Sequence, residues 1–186
     1  MRWVRVAVGA VVAATAVAGC GATEPTTAET AAADTAETVC AVLRRWDNEL
    51  SEAINAASQS ITDDDDPTTA NAVLLDGFDE AIAIAEDHRA ELDELRLPAG
   101  RDRERLLDEL RSGADEAIAG LEEGRAAAAE LGPITVDEQG HALGGALLAI
   151  ETAQSSVEPR IGSYDDEALR EAFAADEGCE HVIQPF

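Results

Sequence analysis

Between Val39 and Ile61 the chain reads VCAVLRRWDNELSEAINAASQSI, and Val39, Leu43, Trp46, Leu50, Ile54, Ala57 and Ile61 recur at steps of four and three. That spacing draws one apolar stripe along an amphipathic helix. Upstream, Asp34 with Glu37 three residues later offers a cap for its start. Downstream, Thr62 and the run Asp63 to Asp66 stop it, and Asp66 as N-cap with Pro67 at the first helical position opens a second helix. Its stripe is Leu75, Phe78, Ile82, Ala85, Leu92 and Leu95, ended by Pro98 and Gly100.

A third segment from about Arg101 to Leu131 turns Leu107, Leu110, Ala114, Ala117, Ile118, Leu121, Ala128 and Leu131 inward, and Gly132-Pro133 stops it. The fourth helix opens at Thr135, where Thr135 and Glu138 match a capping box, and carries Leu143, Leu147, Ile150 and Val157, with Ile161 as its furthest extension. A short fifth runs from about Asp166 to Asp176, with Leu169 and Phe173 inward and Gly178 closing it. No segment alternates with period two, so the expected class is all-α. Four helices of similar length, each about 40 Å long and joined by short connections, predict an up-down-up-down four-helix bundle with a short fifth C-terminal helix. Gly113, Gly120 and Gly124 in the third helix and Gly140, Gly144 and Gly145 in the fourth each cost about 1 kcal/mol relative to Ala. Either close approach of those two helices or local looseness accounts for them.

Composition narrows the function. The 39 acidic residues against 13 basic ones give a net charge of −26, which excludes a basic groove for nucleic acid. All 13 basic residues are Arg, so Schiff-base, phosphate-loop and Ser-x-x-Lys chemistries are excluded. Aromatic residues are 3% of the chain and Ala supplies much of the apolar content, so burial per residue is modest.

The first twenty residues read as an address: Arg2 and Arg5, an apolar run from Val6 to Ala16, then Val17-Ala18-Gly19-Cys20. The run is about half the roughly 20 residues needed to span a bilayer. Val17-Ala18-Gly19-Cys20 resembles the lipobox of bacterial lipoproteins. The resemblance implies that residues 1–19 are a cleaved signal peptide and that Cys20 is the lipidated first residue of the mature protein. It also implies a place on the outer face of the cell membrane. Two acyl chains anchor stably, at about 0.8 kcal/mol per buried CH₂. Loss of Arg2 and Arg5 takes the net charge from −26 to −28, so an anionic lipid surface should repel the mature body. Residues 20–33 hold no large apolar side chain beyond the lipidated Cys and read as a disordered tether, with the bundle domain spanning 34–186. The mature part is similar to small helical lipoproteins of high-G+C bacteria, a likeness that assigns no residue roles.

With Cys20 given to the lipid, Cys40 and Cys179 remain, and an even pair in an oxidising compartment reads as a disulfide. Topology points the same way, because an even number of antiparallel helices returns the chain to the start of the first. Free thiols and an intermolecular bridge are the alternatives.

Other candidate sites are weaker. Asp63 to Asp66, with Asp76, Asp79 and Glu80 nearby in sequence, lack the turn glycine of a calcium loop, and a solvated loop that supplies an N-cap explains them. Glu138 and His141 have the spacing of a di-iron helix, but no second Glu-x-x-His exists. His88 falls at the edge of the second stripe and reads as a hydrogen-bonded core histidine, Trp46 as packing with its N–H at the core edge, and His181 as exposed. Asp108 with Arg111 and Asp166 with Arg170 are spaced to pair. No serine elbow and no His-Glu-x-x-His occurs, so neither catalytic residues nor a metal or other cofactor are expected. The expectation is a monomeric, non-enzymatic lipoprotein with an interaction or accessory role, its partners the membrane through the lipid and an envelope protein. The alternative is an acidic binding module for a divalent cation or a basic small ligand.

Overall fold

The structure is a computed structural model that describes residues 25–60, 66–131 and 159–179, together with positions 148, 152 and 155. Three long helices, α1 (Thr27–Ser60), α2 (Pro67–Glu94) and α3 (Arg101–Leu131), are followed by the short α4 (Glu167–Ala175), and single 3₁₀ turns flank α4 at Ile161–Ser163 and Glu177–Cys179. Among the described residues there is no strand, and the fold is an all-α bundle. The helix expected from Thr135 lies outside the described residues except at Leu148, Thr152 and Ser155, which are helical. Ile161, the expected limit of that helix, instead begins a 3₁₀ turn and is buried.

Side-chain pairs report the antiparallel register. Ala57 meets Gly77, Glu49 meets His88 and Arg45 meets Glu91, so climbing α1 descends α2. Arg125 with Asp79, Arg89 with Asp115 at 2.7 Å and Arg111 with Asp93 at 3.2 Å do the same between α2 and α3. Local chemistry explains the start of α2: the Asp66 carboxylate accepts from the backbone N–H of Thr68 and Thr69, and Pro67 follows it.

The start of α1 corrects the expected tether. Helix begins at Thr27, not near Asp34, so residues 27–33 belong to the bundle, and Asp34 and Glu37 lie inside α1. The working cap is one box earlier: the Glu29 backbone N–H donates to Thr26 Oγ1 at 3.2 Å, and the Thr26 N–H donates to the Glu29 carboxylate. Ala32, Thr35 and Ala36 are buried, which shows why a stretch without large apolar residues still folds: its small side chains are themselves the packing surface.

Core positions follow the expected stripes with a shift of one residue in places. Val39, Leu43, Trp46 and Leu50 are buried, but on α2 the centre runs through Leu74, Phe78, Ala81, Ala85, His88 and Leu92, with Leu75, Ile82 and Leu95 at its edge. On α3 Leu106 takes the place expected of Leu107. Leu169 and Phe173 of α4 are buried as expected, between Asp166 as N-cap and Asp176 as C-cap.

A polar knot ties α1, α3 and α4 together. The buried Arg103 donates from Nε to Thr35 Oγ1 at 3.2 Å and from Nη1 to Asp166 Oδ2 at 3.1 Å. Asp102 Oδ2 accepts the Asp166 N–H at 2.6 Å, and Asp166 Oδ1 accepts from Leu169 N–H. Asp166 is therefore engaged by Arg103 and not by Arg170, whose guanidinium donates instead to the Tyr164 carbonyl. The expected Asp108–Arg111 pair forms, at 3.9 Å.

Candidate functional site

One face of α3 carries Arg105, Glu109, Ser112 and Glu116, spaced by four, three and four residues, so all four stand in a row. With Gly113, Ser155 and Arg160 they line an open cleft of about 320 Å³. The back of this cleft is rigidly built. Arg105 donates from Nε to Glu109 Oε1 at 2.8 Å and from Nη2 to Ser163 Oγ at 2.8 Å, and its guanidinium carbon lies 5.0 Å from the centre of the Tyr164 ring. Tyr164 donates its hydroxyl to Glu109 Oε2 at 2.8 Å. Both carboxylate oxygens of Glu109 are thus occupied. Burial, reinforced by the neighbouring Glu109 carboxylate, pushes the Tyr164 phenol well above its ordinary range, because its anion would be desolvated and face a like charge. In contrast, Arg160 and Glu116 are exposed and make no ion pair with any described residue.

A second cluster lies at mid-height between α1 and α2. His88 is 3% exposed, and its Nε2 sits 2.9 Å from Glu49 Oε2, where an ionised carboxylate can only accept. Its Nδ1 is 3.6 Å from Glu91 Oε2, beyond hydrogen-bond range. Trp46 meets the imidazole edge-on, with ring centres 5.1 Å apart. The expectation of a hydrogen-bonded core histidine therefore holds, although His88 is deeper than the stripe edge. Trp46 packs in the core as expected, but its Nε1 has no hydrogen-bond partner. The two carboxylates lie beside different ring nitrogens and do not converge on one ion; Glu49 alone is within hydrogen-bond range, and the buried Nδ1 has no hydrogen-bond partner among the described residues.

The disulfide joins Cys40 and Cys179, whose Cα atoms are 5.3 Å apart, and so secures the turn after α4 to α1. Asp176 brings a carboxylate within 4.8 Å of both sulfurs, a grouping with metal-donor chemistry. Its sulfurs are spent on each other, however, and Asp176 Oδ1 accepts the Gly178 N–H at 2.7 Å. The Arg44 guanidinium also lies against Gly178, adding a positive charge beside the carboxylate. This is a structural clasp.

Cys20, Asp63 to Asp65, Glu138, His141 and His181 lie outside the described residues. The described carboxylate Asp66 acts as a helix cap, and Asp79 pairs with Arg125, which holds its carboxyl below the usual range. Sequence reasoning missed Thr35, Asp102, Arg103 and Tyr164. The Arg105–Glu109 pair was legible from its i, i+4 spacing, but nothing in the sequence placed Tyr164 or Arg160 beside it. Among the described residues no helix is long and apolar enough to cross a membrane. No family model matches the chain, and neither a curated protein nor a solved structure shows significant similarity to it.

Proposed function

We propose that this chain is a bacterial lipoprotein, anchored outside the cell membrane through lipid on Cys20, whose helical bundle serves a non-enzymatic interaction role. The observation that carries the reading is the Cys40–Cys179 disulfide. Such a bond belongs to an oxidising compartment, and it leaves Cys20, behind its signal-like leader, as the third cysteine outside that bond. Helix α1 opens at Thr27, so no more than about 25 Å of extended chain separates it from Cys20. The domain then stands close to the lipid. A non-catalytic role is supported by the use made of the buried polar groups where α1, α3 and α4 meet: Arg103, Asp102 and Thr35 hold the helices together.

Metabolic labelling tests the anchor. Expressed in a bacterial host with an alkyne-bearing palmitate, the full chain should take up label and fractionate with membranes, whereas Cys20→Ala should do neither. An unlabelled wild-type protein, or a Cys20→Ala form that stays membrane-bound, overturns the reading.

A further inference from the structure

We propose that the cleft between α3 and Arg160 binds a small zwitterion, an α-amino acid or a dipeptide. Its volume of about 320 Å³ lies at the small end of ligand pockets, which suits a molecule of that size. The charges lining it decide the class. Arg105 and Glu109 are matched to each other, and both oxygens of Glu109 are taken by Arg105 and Tyr164, so this pair forms a fixed wall. Among the described residues that line the cleft, what remains is one cation, Arg160, and one anion, Glu116, without an ion-pair partner among the described residues. The planar guanidinium of Arg160 suits a carboxylate, and the Glu116 carboxylate suits an ammonium group. A ligand of single charge would meet its own sign at one of the two, whereas a zwitterion satisfies both. Gly113 adds no side chain to the lining, and the Ser112 hydroxyl offers a further polar group. Because Arg160 and Glu116 are exposed, screening limits the affinity to about the millimolar range.

The inference does not rest on membrane anchoring, and its test is separate. The full-length, oxidised protein in detergent would be titrated with the twenty free α-amino acids and with Gly-Gly and Ala-Ala, each to about 10 mM, and followed by saturation-transfer NMR and calorimetry. At least one zwitterion should bind saturably, and its N-acetyl and carboxamide analogues should each bind about five-fold more weakly or worse. Arg160→Gln and Glu116→Gln should produce losses of the same size with unchanged circular dichroism, and Arg160→Lys should retain part of the affinity. No saturable binding across the panel overturns the proposal. So does binding that survives both Gln variants or removal of either ligand charge.

Discussion

Tyr164 shows how one buried residue becomes informative once its partners are known. It is the chain's one tyrosine, so its ionisation can be read without interference. Burial and the Glu109 carboxylate both oppose the phenolate, raising the folded-state value above the ordinary one of about 10. In ultraviolet titration the folded protein should show no tyrosinate rise through the ordinary range, whereas the denatured chain should titrate normally. The sign for stability follows. Below the ordinary value both states are protonated and the contribution is complete, while above it the unfolded chain releases a proton that the folded one keeps. Stability should therefore fall as pH rises beyond about 10. A tyrosinate signal that rises normally in the folded protein would refute the burial and carboxylate contact assigned to Tyr164. Arg103 teaches the same lesson from the basic side: Thr35 on α1 and Asp166 at the start of α4 both hold it, so its charge belongs to the scaffold.

At the scale of elements, the glycines separate close packing from mere tolerance. A Cβ on Gly77 of α2 would stand 2.7 Å from the Cβ of Ala57 on α1, a distance that forces the helices apart. Gly120 of α3 has nothing within 4 Å of the same point. Close approach of helices does not explain Gly120, and a tight contact lies at Gly77 between α1 and α2, while Gly140, Gly144 and Gly145 of the expected pair lie outside the described residues. Gly77→Ala should destabilise by about 1–3 kcal/mol through overpacking. Gly120→Ala should stabilise by up to about 1 kcal/mol, because it removes the helix-interior cost of glycine without adding a clash. Chemical denaturation of the two variants beside wild type gives opposite signs if the α1–α2 contact is as described. The Ala-rich start of α1 belongs to the same theme. A disordered tether was the natural expectation for a stretch lacking large apolar residues, yet Ala32 and Ala36 bury completely or nearly so because a helix surface of methyl groups can approach its neighbour closely.

Across the whole molecule the disulfide closes the fold. It links residues 139 apart in sequence, and a closed loop of that length contributes about 5 kcal/mol in the chain-entropy account. Reduction, or a Cys40→Ser and Cys179→Ser pair, should therefore lower the thermal midpoint by many degrees, as scanning calorimetry would show. Equal midpoints for oxidised and reduced protein would remove the stabilising role. Arginine is distributed unevenly along the bundle. Arg96, Arg101, Arg103, Arg105, Arg160 and Arg170 gather at the end where α1 begins, while among the described residues the opposite end has Arg125 alone, already paired with Asp79.

Much of this architecture is written locally. Helical periodicity, the Asp66-Pro67 start of α2, the Leu169 and Phe173 stripe of α4 and the pairing of Cys40 with Cys179 follow from short-range spacing, capping chemistry and the return of an antiparallel chain. The Thr26–Glu29 cap was also present in the sequence, but the following run of small residues concealed it. Among the described residues, tertiary structure alone decided which arginines meet carboxylates on other helices, and hence which are left over on the α3 cleft. Periodicity determines which face of a helix is apolar, but not its rotation and axial offset against a neighbour, and a shift of one turn gives nearly every charged side chain a different partner.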